Sequence, residues 1–295
     1  MAFFALTNSK KIMKKMQIYS IETGNFKCDG GAMFGVVPKF MWNKKYPADE
    51  NNLCDCALRS MLVVDGDRRI LIDNGTGDKQ AASYTSHYHL WGDDTLQSSL
   101  NRLGFGFEDI TDVIFTHLHF DHCGGATRYK TGTKELELVF PNATHWVSKT
   151  QWENYLNPNV REGDSYFPEN MMPIFEAGKL NLVEEDGELF RNVEVRQFNG
   201  HTTGLLAVLV HDEDKTIAFT ADFIPTLANV NLKWIAAYDL FPTVVLREKE
   251  AFLKEAVEKN YILFFQHDIQ YECCSLEETP RGIKPKESFK LESLF

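Results

Sequence analysis

Apolar residues along the first half of the chain alternate or recur in patterns typical of strands and helices. Residues 17–26 alternate as a strand does, and residues 61–72 predict a hairpin that turns at 65–67. Apolar positions within 96–103 recur at helical spacing, and the β-branched run over 112–116 predicts a strand. The predicted order is therefore strand, hairpin, helix and strand.

The second half repeats this rhythm, although it shows no residue-level repeat. Residues 189–198 predict a strand, and residues 205–220 predict a hairpin that turns at 212–214. Residues 243–259 have the apolar spacing of an amphipathic helix, and 261–265 predicts a buried strand. Loops at strand ends often carry binding side chains on a rigid scaffold, so these ends are where chemistry is expected.

The 295 residues contain no low-complexity tract and no linker rich in Pro, Gly or Ser. We therefore expect a single domain over 17–295, preceded by a loose leader over 1–16. The composition, 43% hydrophobic and 25% charged, is ordinary for a globular protein. A chain of this length buries a sizeable core without needing disulfides.

Charge and cysteine usage narrow the classes of partner. The formal net charge is −11 without a long basic run, which argues against nucleic acid and anionic lipid as partners. The six cysteines are adjacent, one residue apart or alone, unlike a secreted disulfide framework. Because no apolar run is long enough to span a bilayer, we expect a cytoplasmic protein with no membrane partner. The oligomeric state is open, and a homodimer is compatible with the sequence.

The densest chemical signal is the segment Thr116-His117-Leu118-His119-Phe120-Asp121-His122, directly after a predicted strand. Alternating side chains of an extended segment point to one side, so His117 and His119 can share a metal ion. Asp121 and His122 need a bend in the chain to reach another ion. One segment therefore contributes ligands to two metal sites.

Three further candidate ligands come from distant parts of the chain. His201, Asp222 and His267 each follow a predicted strand. Together with the three histidines of the first segment, five of the nine histidines are candidate ligands. Neutral imidazole with carboxylate suits Zn, Fe, Co or Mn, and it differs from the closed, Cys-rich shell of a structural zinc site. We expect two divalent metal ions, with zinc as the first choice.

The order His-x-His-x-Asp-His, Gly-His, Ala-Asp and a late His closely resembles the metallo-β-lactamase superfamily over roughly residues 17–275. The resemblance implies an α/β (α+β) fold, a four-layer αβ/βα sandwich with the site at one edge between two sheets. It also implies that Asp222 bridges two ions. The other ligands it implies are His117, His119 and His201 for one ion and Asp121, His122 and His267 for the other.

Two metals about 3.5 to 4 Å apart can turn a bridging water into hydroxide and polarise the attacked carbonyl or phosphoryl oxygen. They also stabilise the oxygen that leaves, so no side-chain nucleophile is required. Asp121 is a ligand that can also face the hydroxide. It is therefore the candidate catalytic residue for passing a proton to the leaving group.

Three further stretches, 30–38, 71–75 and 222–226, resemble one branch of this superfamily. That branch holds quorum-quenching acyl-homoserine-lactone lactonases and methyl-parathion-hydrolase-like organophosphate hydrolases. The leading expectation is therefore a lactonase that opens N-acyl homoserine lactones by attack of a metal-bridging hydroxide. The alternative is a phosphotriesterase, arylesterase or thioesterase on the same two-metal centre.

One position departs from the branch. Its lactonases often carry a Tyr three residues after the bridging Asp, where it helps to hold the substrate carbonyl, but this chain has Pro225 there. Either another donor replaces that hydroxyl or the substrate differs. Tyr238 and Asn229 are the candidate replacements.

Apolar residues near the ligands indicate a pocket for a small molecule with an apolar acyl or aromatic group. The candidate substrate contacts are Met33, Phe34, Trp42, Phe120 and Tyr238. For any single one of the apolar residues near the ligands, a place in the core is the preferred interpretation, and Trp42 and Phe120 are the expected exceptions. Two other classes of protein are disfavoured. The resemblance implies that a di-iron redox protein would carry a carboxylate at the position of His119. A nuclease needs a basic groove, for which the sequence offers no basic run.

Other residues with chemical potential have simpler interpretations. His87 and His89 have the spacing of a metal pair, but no predicted strand precedes them, so we expect a rim or surface position. His145 is expected to pack in the core. Cys123 is expected to be a buried, inert thiol.

Overall fold

A computed structural model of the chain describes residues 15–295. Residues 1–14 of the leader predicted over 1–16 therefore lie outside the described residues. The strands are, in chain order, β1 Gln17–Asp29, β2 Leu53–Asp65, β3 Arg68–Ile72, β4 Asp112–Ile114, β5 Thr127–Tyr129, β6 Leu136–Leu138, β7 Thr144–Ser148, β8 Leu180–Val183, β9 Gly187–Phe190, β10 Val193–Phe198, β11 Leu205–Asp212, β12 Lys215–Phe219, β13 Ile262–Phe264, β14 Cys273–Thr279 and β15 Gly282–Phe289. The helices are α1 Gly30–Phe34, α2 Lys39–Trp42, α3 Ala82–Thr85, α4 Leu96–Arg102, α5 Phe120–Cys123, α6 Lys149–Leu156, α7 Pro168–Glu176 and α8 Pro242–Glu258. Within these bounds, no helix combines the length and apolar character needed to cross a membrane.

Most strands belong to two mixed sheets. The first sheet has the order β1-β2-β3-β4-β7-β8, and the second has the order β15-β14-β13-β12-β11-β10-β9. Strands β3, β4, β7 and β8 run parallel to one another, whereas the second sheet is antiparallel except where β12 meets β13. Strands β5 and β6 form a separate hairpin.

Three apolar layers hold the sheets and helices together. Side chains such as Met61 and Ile114 of the first sheet pack against Leu206 and Phe219 of the second, which makes the central core. Helices α4, α6 and α7 cover the outer face of the first sheet. Helix α8 covers the outer face of the second through residues including Phe252. The predicted four-layer αβ/βα sandwich is therefore confirmed, and the single domain over 17–295 stays a prediction.

Several predicted elements have the expected type and place. The strand over 17–26 is β1, and the hairpins over 61–72 and 205–220 end β2 and β11 at their predicted turns. The second turn places Glu213 at a φ of 53°, a left-handed conformation that closes the hairpin. The helix predicted over 243–259 is α8, shifted by one residue.

Two expectations need correction. The strand predicted over 189–198 is two strands, because Asn192 adopts a φ of 63° and turns the chain between β9 and β10. The strand predicted over 112–116 ends at Ile114. The backbone of Thr116 then bonds to Asp73 and to Leu206 of the second sheet instead of continuing β4.

Close backbone packing fixes the loop that enters the site. A Cβ atom on Gly124 would lie 2.0 Å from the carbonyl oxygen of Thr76, and one on Gly125 would lie 2.2 Å from that of Asn74. Only glycine permits this approach. The chain after β3, which carries Asp73, is therefore held directly against the turn that follows His122.

Candidate metal centre

The seven predicted ligands converge at one edge of the sandwich, where strands of both sheets end. The segment from His117 to His122 follows β4, and the short helix α5 supplies the bend that Asp121 and His122 were predicted to need. The other ligands follow β10, β12 and β13 of the second sheet. We call these seven side chains the ligand floor: His117, His119, Asp121, His122, His201, Asp222 and His267.

One end of the ligand floor consists of three histidines. His117 Nε2 lies 3.0 Å from His119 Nδ1, which lies 3.3 Å from His201 Nε2. Their ligand atoms all lie within 4.8 Å of one another, and the side chains are buried or nearly so. Three nitrogens facing a common point suit a tetrahedral or five-coordinate cation with an open position.

The other end combines a carboxylate with two histidines. His122 Nε2 lies 3.6 Å from Asp121 Oδ2 and 3.4 Å from His267 Nε2. His267 Nε2 lies 3.9 Å from the same Asp121 oxygen. These three ligand atoms also meet the geometry of a metal-binding group.

Asp222 lies between the two ends of the floor. Its Oδ2 atom is 3.3 Å from His201 Nε2, and its Oδ1 atom is 2.8 Å from His267 Nε2. Within residues 15–295 Oδ1 makes no hydrogen bond of acceptable geometry, although it lies close to the His267 ring nitrogen and the carboxylate is buried. The preceding Ala221 has a φ of 45°, a strained conformation for a residue with a side chain. A buried carboxylate oxygen that makes no hydrogen bond and lies among imidazole nitrogens suits a cation, so the donor set fits a metal.

Each histidine of the floor has its second ring nitrogen held from outside. The outer partners are Thr116 for His117 at 3.1 Å, Glu162 for His119 at 3.3 Å, Asp73 for His122 at 2.9 Å, Asp239 for His201 at 2.9 Å and the Ala57 carbonyl for His267 at 2.9 Å. Such partners fix the tautomer and orient the ring, which leaves the inner nitrogen free to bind a metal.

Asp73 supports both ends of the ligand floor. One of its oxygens accepts from the Thr116 hydroxyl at 2.7 Å and faces His122, while the other accepts the Thr116 amide at 2.8 Å. Since Thr116 in turn contacts His117, a single buried carboxylate positions two ligands. The sequence signal for Asp73 is its place in the stretch 71–75. That stretch indicates only a resemblance to one branch of the superfamily and does not by itself predict a role in the site.

Glu162 is the partner that sequence reasoning missed. It is 4% exposed, and it accepts hydrogen bonds from Thr202 at 2.8 Å and Tyr166 at 3.0 Å while facing His119. Burial raises the pKa of Glu162, but hydrogen bonds from His119, Asn154 and Thr202 outweigh it and lower this pKa to about 2. It therefore stays an anion beside its histidine. No local pattern distinguishes it from the surface glutamates nearby.

Burial and neighbouring charges act differently on the histidines of the ligand floor. Burial lowers the pKa of His117 and, despite Glu162, that of His119, so both keep a free lone pair. Burial raises the pKa of Asp222, but His267, His122 and His201 outweigh it and hold this pKa well below its ordinary value. Burial also lowers the pKa of His122 and His201, but neighbouring carboxylates, Asp222 among them, outweigh it and raise both pKa values. A cation bound among these carboxylates would take over the charge that favours protonation of the two rings.

Above the floor opens a cavity of about 390 Å³. One side is apolar, and we call it the apolar wall: Phe26, Cys28, Met33, Cys56, Tyr88 and Phe120. Three further lining residues carry polar groups, and we call them the rim: Arg161, Ser165 and Tyr238. An apolar wall with a few convergent polar groups is typical of a small-molecule site.

The five predicted substrate contacts divide between the cavity and the core. Met33 and Phe120 lie in the apolar wall, and Tyr238 lies at the rim with its ring 5.7 Å from that of His201. Phe34 and Trp42 do not line the cavity. Their rings stack with 5.1 Å between the centroids, and both side chains are buried. The structure therefore puts these two residues in the core.

The remaining candidates lie away from the floor. His87 is exposed beside Tyr88, and His89 follows with a left-handed φ of 44°. Cys123 and His145 are fully buried. Asn229 is buried and bonds to Thr226, and Pro225 accepts a backbone hydrogen bond from His267. Neither Asn229 nor Pro225 lines the cavity.

Comparison with known sequences agrees with this site. The family model of the metallo-β-lactamase superfamily matches residues 56–267. An N-acyl homoserine lactonase from a Bacillus species is 28% identical over 184 residues, which cover 61% of this chain and 64% of the relative. The N-acyl homoserine lactonase AttM of Rhizobium radiobacter is 25% identical over 187 residues, or 59% and 62% of the two chains. The matches thus span less than two thirds of these relatives.

Solved structures resemble the whole described fold. A probable metal-dependent hydrolase from Staphylococcus aureus matches with a TM-score of 0.85 and 28% identity, covering 95% of this chain and 98% of that one. AidC, a dizinc quorum-quenching lactonase, matches with a TM-score of 0.77 and 20% identity, covering 94% and 96%. The second likeness concerns the fold alone.

Proposed function

Because the chain belongs to the metallo-β-lactamase superfamily, we propose that it is a two-metal hydrolase that opens the ring of N-acyl homoserine lactones. The observation that carries the proposal is Asp222, which lies between two groups of ligand atoms at the bottom of a cavity with an apolar wall. The lactonases among its sequence relatives support the choice of substrate.

The proposed ligands are the seven residues of the floor. His117, His119 and His201 would hold one ion, and Asp121, His122 and His267 would hold the other. Asp222, which lies between the two groups, would serve both. When bound, two divalent ions, which we take to be zinc, supply Lewis acidity and a water that is acidic enough to act as a nucleophile near neutral pH.

The chain's own groups then bind and orient the substrate. The apolar wall holds the acyl group and excludes water from it. Asp121 lines the cavity with its carboxylate 15% exposed, so we assign it the transfer of a proton to the leaving oxygen. An Asp121→Asn variant that kept its metals and full turnover would show this role to be wrong.

Aromatic rings in the wall favour a second candidate. The ring centroid of Tyr88 lies 4.7 Å from that of Phe120 and 6.5 Å from that of Phe26. A flat aromatic group of a substrate would therefore find stacking partners in the cavity. An aryl ester or an aryl phosphotriester would use the same floor. Preference for the leaving group separates these reactions from lactone opening.

The test is a substrate panel on protein of measured metal content. Homoserine lactones of several acyl lengths are compared with aryl esters, thioesters and paraoxon-type triesters, before and after chelation. We expect lactone opening to be fastest, to vanish on chelation and to return with added zinc. Protein that holds two metals per chain but leaves every lactone intact would overturn the choice of substrate and keep the metal assignment.

A further inference from the structure

Arg161 brings a guanidinium group to the rim of the cavity. The side chain is exposed and lines the same cavity as the apolar wall. It donates one hydrogen bond to the carbonyl oxygen of Ala237, and its own backbone amide bonds to Asn159 at 2.9 Å. These contacts place the group across the rim, between the loop after α6 and the segment that carries Tyr238.

No carboxylate of residues 15–295 forms an ion pair with this guanidinium. The adjacent Glu162 is already engaged, because Asn154 and Asn159 donate to its Oε1 atom at 2.8 and 2.7 Å. Its Oε2 atom accepts from Thr202 and faces His119. A guanidinium has five N–H donors, and one of them is used on Ala237, so most of its donors remain free to bind a ligand.

The cavity thus presents three kinds of surface to one molecule. The ligand floor suits an electrophilic carbonyl, the apolar wall suits a hydrocarbon chain, and Arg161 suits an acceptor oxygen between them. Among the residues that line this cavity, Arg161 is the one permanent cation. Charge-assisted hydrogen bonds from arginine are stronger than neutral ones and demand a defined position of the acceptor.

We propose that Arg161 binds an acceptor oxygen of the substrate outside the reacting ring, the amide carbonyl of an N-acyl homoserine lactone. The inference rests on the proposed function and adds a requirement to it, since a lactone without an amide has nothing to offer this group. Arg161 would orient the ring over the floor and take no part in bond breaking.

The test compares two substrates on four proteins: the wild type, two variants of Arg161 and one control variant. The substrates are an N-acyl homoserine lactone and a γ-alkyl lactone of matched length, which lacks the amide. For Arg161→Met we expect a loss of roughly 10- to 100-fold in kcat/KM on the amide-bearing lactone, mainly through KM, as for a lost charged hydrogen bond. On the alkyl lactone the change should stay within about twofold. Arg161→Lys should recover part of the loss, because it keeps the charge without the fork.

The control is Arg128→Met, which removes an exposed arginine paired with Glu137 far from the cavity. Metal content is measured on every protein, because Glu162 is adjacent to Arg161. Equal losses on both lactones, or none on either, would overturn the inference and leave the lactonase proposal standing. If metal-loaded wild-type protein opened neither lactone, the proposed function and this inference would both fall.

Discussion

The ligand floor and the apolar wall face the same cavity but are held by different parts of the fold. The floor sits at the ends of strands from both sheets, and each of its histidines has an outer partner at 2.9 to 3.3 Å. The wall comes mainly from β1, β2 and the short segments that follow them, and apolar packing holds it. The floor therefore fixes the chemistry, whereas Met33 and most of the wall lie outside the segments that carry the ligands. Phe120, between His119 and Asp121, is the exception.

The largest expected effect comes from changing the carboxylate that lies between the two ends of the floor. Asp222→Asn keeps the shape but loses the charge that faces both ends of the floor. We expect loss of bound metal and a fall in kcat/KM of roughly 1000-fold or more, about 4 kcal/mol of transition-state stabilisation. Metal analysis and lactone kinetics are the measurements, with Asp214→Asn in an exposed turn as the control. Full metal content with normal turnover would remove Asp222 from the centre.

Glu162 tests whether the outer partners matter as much as the floor itself. Glu162→Gln removes the anion beside His119 while leaving the ligands in place. Such changes typically cost about 10- to 100-fold in metal affinity. Competition with a chelator of known affinity measures the loss, and Glu153→Gln on the exposed face of α6 serves as the control. Unchanged affinity would make Glu162 a purely structural residue.

His145 is a buried histidine outside the floor, and within the described residues neither ring nitrogen has a hydrogen-bond partner. It stacks on Phe115 at 5.8 Å, and burial lowers its pKa to about 4. The unfolded chain takes up this proton first, so the stability contributed by the neutral ring is present above pH 6.5 and is lost as pH falls towards 4.

Between pH 7 and pH 5 this single group should cost the fold about 2 kcal/mol. Urea unfolding at both pH values measures the cost, and His145→Phe should lose correspondingly less stability over the same interval. His87→Phe at the surface is the matched control. Parallel losses in wild type and His145→Phe would show that this ring is not the titrating group.

The smallest expected effect comes from the wall. Met33→Ala enlarges the cavity without touching a ligand, so longer or bulkier acyl groups should gain relative to short ones. We expect a change of about 3- to 10-fold in the ratio of kcat/KM values, the scale of a few methylene groups in an apolar pocket. Met41→Ala, at an exposed position of α2, is the control. Loss of metal in Met33→Ala would erase the distinction between wall and floor.

The four-layer fold was implied by the family resemblance, whereas the grouping of the floor residues could be predicted for a physical reason. Ligands such as His117 and His201 follow strands, and strand ends of a sandwich meet at one edge. Glu162 escaped prediction because its role depends on the packing of α6 against the loop of Thr202. Phe34 and Trp42 were assigned to the substrate since apolar spacing does not tell a cavity from the core beneath it. The break at Asn192 was missed because its local sequence is compatible with a continuous strand.

The division of the ligand floor between the two sheets has a mechanical consequence. Four of its side chains follow β4 of the first sheet, and the other three follow strands of the second. Any ion held by both sets is a cross-link between the two halves of the sandwich, and its binding energy adds to the stability of their contact. Chelation should therefore do more than abolish turnover: it should speed hydrogen exchange at the facing surfaces of both sheets, far from the cavity.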